Sequence, residues 1–128
     1  MEKNLLESVA HEIVQSGLEV HKELGPGLLE SVYVCCLVSE LKFRRLKVEQ
    51  EKALPLYFKG VMLNKEFRID LLVEDEIIIE VKAVETLLPV HIAQIISYLK
   101  LADKRLGFLF NFHTPVFKYG LRRFVNKY

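Results

Sequence analysis

The 128 residues predict an α/β or α+β fold, a mixed sheet of about four to five strands flanked by helices. Three observations lead there. Apolar residues recur at helical spacing through the first third of the chain. From Val48 the pattern changes to short apolar segments divided by turn residues. One further helical pattern, His91–Leu101, then lies between two strand-like segments, as in a helix crossing a sheet.

The first element runs from Leu5 to Leu24, with Leu5, Leu6, Val9, Ile13, Val14 and Val20 on one face. Gly25-Pro26-Gly27 ends it. A second helix is expected from Leu28 to Leu46. Its interior (Val32, Tyr33, Val34, Cys35, Cys36, Leu37, Val38, Leu41) is apolar enough to predict burial on more than one side. Lys42, Arg44, Arg45 and Lys47 at its end suit the negative pole of the helix dipole. Strands follow at Val48–Leu54, Leu56–Lys59, Glu66–Val73 and Ile77–Val81, separated by Pro55, Gly60, Asn64 and Glu74-Asp75-Glu76. Pro89 marks the next helix start. On His91–Leu101, Ile92, Ile95, Ile96 and Leu99 share one face, with His91, Gln94 and Tyr98 on a neighbouring stripe. Leu106–Phe110 and Tyr119–Val125 are the last extended segments.

Composition narrows the function classes. Hydrophobic residues make up 51% and charged residues 27%, as in an ordinary globular protein, so residues 1–128 are read as one domain. Eighteen basic against 17 acidic residues give a net charge of +1, which excludes a large basic field. Cys35 and Cys36 are adjacent, which fits neither a disulfide framework nor a CxxC metal site. They read as reduced, mostly buried helix side chains. No apolar run approaches the roughly 20 residues that span a bilayer, and the N-terminus lacks a signal-peptide pattern. A cytoplasmic protein, with no membrane partner, is the expectation. The apolar second helix and open strand edges permit a homodimer.

The chemistry concentrates in Phe67–Lys82. If Glu74-Asp75-Glu76 form the loop, Val73 faces Ile77, Leu72 faces Ile78 and Leu71 faces Ile79. Continuing the count, Asp70 faces Glu80 and Arg68 faces Lys82, with all four on one face of the sheet. Opposed carboxylates in apolar strands repel one another, and a divalent cation resolves the conflict. Oxygen ligands suit Mg2+ or Mn2+. Lys82 can then reach a water or phosphate oxygen beside the metal, an arrangement for hydrolysing a phosphodiester. The plainer alternative is a solvated face with Arg68–Glu80 or Asp70–Lys82 ion pairs of little worth.

Asp70 followed by Glu80-Val81-Lys82 resembles the signature of the PD-(D/E)xK nuclease superfamily. Ile69 stands where the superfamily name has proline, a variable position. Gly27-Leu28-Leu29-Glu30-Ser31-Val32-Tyr33 resembles the name-giving motif of its GxxExxY branch. Gly25-Pro26, Gln50, Gln94 with Ser97-Tyr98-Leu99, Gly107 and Asn111-Phe112 extend the match, which covers about His11 to Asn126. The resemblance implies a restriction-endonuclease-like core and a metal-dependent nuclease acting on nucleic acid, DNA before RNA. Asp70, Glu80 and the Val81 backbone carbonyl would hold Mg2+ or Mn2+, joined by Glu30 directly or through water. Lys82 would activate the water. Gln94 and Tyr98, a Gln-x-x-x-Tyr pattern, would support the site, with Arg68 beside them.

Each role has a structural alternative. Glu30 falls in the first turn of a helix, where the dipole favours an acid. Gln94 and Tyr98 are one turn apart and can simply bond to each other. Tyr33 is better placed for core packing. His91 shares the Gln94 stripe, and His11, His21 and His113 show no ligand spacing. Lys100, Lys104, Arg105, Lys118, Arg122, Arg123 and Lys127 are the basic candidates for phosphate. A catalytically silent nuclease-fold module, binding nucleic acid or protein, is the competing function.

Overall fold

The computed structural model describes residues 1–128. The elements are α1 (Lys3–Leu24), α2 (Glu30–Phe43), β1 (Val48–Phe58), β2 (Val61–Val73), β3 (Ile77–Lys82), α3 (Pro89–Ala102), β4 (Leu106–Asn111), α4 (Phe117–Gly120) and β5 (Leu121–Val125). The five strands form one sheet in the order β1-β2-β3-β4-β5. Only β3 and β4 run parallel, because α3 carries the chain back between them; the other pairs are antiparallel. The expected mixed sheet flanked by helices is therefore present.

The two faces differ. On one, α1 and α2 bury Leu6, Ile13, Tyr33 and Leu37 against Leu71, Ile79, Val81 and Phe108. On the other, Leu99 of α3 meets Ile69, Leu72 and Ile78. β3 and β4 are covered on both sides, which is why both read as nearly continuous apolar runs.

α1 is capped by Glu2, whose carboxylate accepts the Asn4 N–H at 2.7 Å. It ends at Gly25, whose φ of 66° lies in the left-handed region. α2 is shorter and less enclosed than its composition predicts. Tyr33, Leu37, Val38 and Leu41 are buried, but Cys35 is exposed and Cys36 is half-buried. Only one side of α2 meets the core; the other borders an open cavity. Neither cysteine is paired.

The largest departure concerns β1 and β2. Pro55, Gly60 and Asn64 predict short separate strands, yet the structure has one long hairpin of 11 and 13 residues. Pro55 is tolerated because β1 is an edge strand, where a missing N–H costs no ladder bond. Only Leu71, Leu72 and Val73 of β2 pair with β3, so most of the hairpin continues past the body of the sheet.

At the far end of the sheet, Gly120 closes against the C-terminus of β4. A Cβ there would lie 1.9 Å from the Asn111 carbonyl oxygen, so no larger residue fits without moving backbone.

Candidate active site

The turn Glu74-Asp75-Glu76 sets the expected register: Val73 faces Ile77, Leu72 faces Ile78 and Leu71 faces Ile79. Glu74 and Asp75 have φ of 53° and 57°, and the Glu76 N–H donates to the Val73 carbonyl. Beyond Leu71 and Ile79 the backbone ladder stops, and side chains take over its hydrogen bonds. The Asp70 N–H donates to Glu80 Oε2 at 2.7 Å, and the Val81 N–H donates to Asp70 Oδ2 at 2.8 Å. The two carboxylates thus cross the gap in opposite directions and hold the separating strands together.

Their neighbourhood is bent. Ile69 and Leu72 both pack towards α3, whereas Leu71 packs towards α1 and α2. Strict alternation cannot place residues three apart on one face, so the pleat is broken at Asp70. Opposite it on β1, Glu51 has φ of 45°, a left-handed conformation that non-glycine residues seldom adopt. The Gln50–Leu71 and Lys52–Ile69 pairs flank this point, and Glu51 and Asp70 do not pair. The break turns Asp70 into a cavity of about 390 Å3 that it shares with Glu30, Ser31, Cys35, Gln50 and Glu51.

Burial makes the site electrostatically costly. Glu80 is only 4% exposed. Desolvation, and then the Asp70 charge, push its carboxyl up to about 8 from an ordinary 4.5. Asp70 is also raised, first by burial, against the lowering effect of the Val81 N–H and Lys82. Glu30 is raised by burial and by Asp70, with Lys82 and His91 opposing. Glu30 and Asp70 line that cavity together, and Asp70 is bonded across the strand gap to Glu80 and Val81, the residues that lead to Lys82. Lys82 enters none of the ion pairs in the protein. Asp70 Oδ1 and Glu80 Oε1 accept no protein hydrogen bond, and neither is an orphaned buried atom, so both meet solvent.

α3 approaches from the other side. The Tyr98 hydroxyl is raised by burial and by the Glu80 and Asp70 charges, with Gln94 one turn earlier opposing. His91 Nδ1 accepts the Leu88 N–H at 3.1 Å, so this ring caps α3.

The sequence match to the PD-(D/E)XK nuclease superfamily spans residues 7–124. The chain belongs to that superfamily. Nucleases of the PD-(D/E)XK superfamily generally use divalent metals, and the five-stranded sheet with flanking helices is a PD-(D/E)XK nuclease-like fold. No curated protein and no solved structure matches the chain. No helix is long and apolar enough to cross a membrane.

Within this PD-(D/E)XK fold, several expectations need correction. Arg68 does not face Lys82. It pairs with Ala53, and its guanidinium donates to the Glu51 carbonyl at 3.2 Å, because β2 leaves β3 at Asp70 and continues with β1 alone. Lys82 lies beside Asn111 of β4 instead. Nor do the carboxylates form a simple opposed pair; they trade backbone N–H groups. Lys104 and Arg105 lie at the turn end of the sheet, where Lys104 bonds the Asp75 carbonyl and Arg105 bonds the Met1 carbonyl. Arg123 is held by Glu7.

Two supporting residues carry more than their sequence positions suggest. The Tyr33 hydroxyl donates to the Gly25 carbonyl at 2.6 Å and accepts the Leu28 N–H at 3.1 Å, while its ring stacks on Phe112. The spacing from Gly27 to Tyr33 is thus a tether that presents Glu30 at the start of α2. Buried Asn111 clamps the segment after Lys82: its amide accepts the Val84 N–H and donates to the Val84 carbonyl. A side-chain amide suits this clamp because it presents a donor and an acceptor on adjacent atoms in one plane.

Proposed function

We propose that residues 1–128 form one nuclease domain of the GxxExxY branch, a metal-dependent phosphodiesterase acting on DNA in the cytoplasm. One observation carries the reading: two cross-bonded carboxylates each leave an oxygen open to solvent beside an unpaired lysine.

The donor set suits a hard cation. Asp70 Oδ1 and Glu80 Oε1 are free oxygens, and Glu30 lines the cavity that Asp70 enters. The Val81 carbonyl points to the strand edge its N–H points to, where Asp70 lies. No three His, Cys, Asp or Glu side chains are close enough to form a closed metal cage. Mg2+ does not need one, since it is often held by one or two carboxylates with waters and substrate phosphate. Bound there, Mg2+ or Mn2+ supplies Lewis-acid stabilisation of charge on the phosphate.

The chain's own residues do the rest. Lys82 orients the attacking water and offsets charge developing on the phosphate. Glu30 positions water through its carboxylate. Gln94 and Tyr98 fix the wall on the α3 side.

The test is cleavage of linear, circular, single-stranded and duplex DNA and of RNA, with Mg2+ and with Mn2+. The expected result is cleavage that a chelator abolishes and that Lys82→Ala lowers by orders of magnitude, with an unchanged far-ultraviolet spectrum. Equal cleavage by Lys82→Ala would sink the mechanism. The missing third ligand favours a second reading, a silent nucleic-acid-binding or protein-interaction module. Mn2+ discriminates: an intact site raises the melting temperature, and Asp70→Ala removes the rise.

A further inference from the structure

We propose that the outer half of the β1–β2 hairpin is a nucleic-acid arm that holds an unpaired stretch of strand flanking the scissile phosphate. This rests on the nuclease reading and adds the element that grips the substrate.

Every residue from Tyr57 to Glu66 is exposed. The hairpin leaves the sheet at Asp70, and its last support is Leu54 and Phe67 against Tyr98 of α3. Past that point the ribbon is covered on neither face. Its tip is nevertheless strongly apolar: Tyr57 is 54% exposed, Phe58 60% and Met62 62%. Tyr57 pairs with Met62 and Phe58 with Val61, so consecutive pairs put one aromatic ring on each face of the ribbon. An isolated hairpin gains nothing in stability from such exposed rings, and patches of this kind mark binding surfaces.

Charge selects the occupant. From Tyr57 to Glu66 the charged side chains are Lys59, Lys65 and Glu66, and Lys59 stands alone among the apolar residues of the tip. Lys59 lies over the Phe58 ring at 5.5 Å. Aromatic rings beside Lys59 at the tip, with Glu66 set back at the base of the ribbon opposite Pro55, match a polyanion that carries flat faces. Single-stranded nucleic acid is such a ligand, its bases stacking on rings and its phosphates meeting lysines. The arm is continuous with the site, since β2 carries both Met62 and Asp70. From Val61 to Asp70 an extended strand reaches roughly 30 Å, the length of several nucleotides.

The experiment measures binding of a labelled single strand of roughly 30 nucleotides, longer than that reach, in chelator so that no cleavage occurs. Wild type is compared with Tyr57→Ser/Phe58→Ser and with Lys59→Glu/Lys65→Glu. Melting temperature and sedimentation are recorded for all three, and cleavage is measured separately with Mg2+. The aromatic variant is expected to bind about tenfold or more weakly at an unchanged melting temperature. The charge variant is expected to flatten the salt dependence. A blunt duplex of equal length should lose less than the single strand.

Wild-type affinity in both variants overturns the arm and leaves the nuclease reading standing if cleavage persists. Arm-dependent binding by a wild type that cleaves nothing supports the arm and sinks the nuclease reading. Absence of binding by wild type overturns the arm. So does a shift from dimer to monomer in the aromatic variant with affinity per site unchanged, because the tip would then be an interface between copies.

Discussion

Glu80 shows what the site costs the fold. Its carboxyl is raised to about 8, so the folded protein prefers it protonated. For an acid shifted upward, folding is unpenalised below the ordinary value of 4.5, and stability is lost as pH rises through about 8. Glu80→Gln keeps an acceptor for the Asp70 N–H and removes the charge. In metal-free protein at pH 8 it is expected to add on the order of 2–4 kcal/mol, read as a melting temperature raised by roughly 7–15 °C. The gain should vanish near pH 4, and cleavage should be lost. An equal gain at both pH values would show that the charge is not the cause. At this scale Asp70 and Glu80 stand out in the sequence as acids in apolar strands, with Lys82 two residues on, whereas Glu30, in the first turn of a helix, is marked only by the family resemblance. The roles of Arg68 and Cys35 are not legible there. Each depends on which neighbour covers a face, and strand or helix spacing does not carry that information.

Among the elements, α2 and the hairpin show how local signals mislead. Pro55 and Asn64 have turn chemistry, yet both lie in strands with open surroundings, where a turn residue costs little. The loop before α2 was better marked, since Gly25 and Gly27 adopt φ of 66° and 100°. What the glycines do not reveal is that Tyr33 ties this loop down. Tyr33→Phe keeps the ring on Phe112 and removes both hydroxyl bonds. The expected loss is about 1–2 kcal/mol of stability. If the tether positions Glu30, turnover should fall further than a uniform loss of folded protein explains, with substrate binding little changed. A loss of stability at unchanged turnover per folded molecule would mean that Glu30 holds its place without the loop.

The whole molecule is joined at its termini by a contact that runs opposite in sign to the site. Glu7 of α1 accepts two hydrogen bonds from Arg123 of β5 at 2.9 and 2.6 Å, and a third from the Tyr128 hydroxyl. The Arg123 and Tyr128 bonds hold the Glu7 carboxyl down at about 2. For an acid shifted downward, the stability is present above the ordinary 4.5 and is lost as pH falls towards about 2. The pair is 42–43% exposed, so solvent screening limits it to no more than about 1 kcal/mol. No periodicity announced it, because the partners are 116 residues apart and only the completed sheet brings β5 under α1. Glu7 and Glu80 therefore bound the stability profile from opposite sides, one failing in acid and one in base. Glu7→Gln should flatten only the acid limb of melting temperature against pH, and Glu80→Gln only the basic limb. The double variant should show both changes additively, since the two groups share no partner. Unfolding by urea across pH 3–9 decides it: a Glu7→Gln effect at pH 8 as large as at pH 3 would mean that lost packing, and not the carboxylate, sets the acid limb.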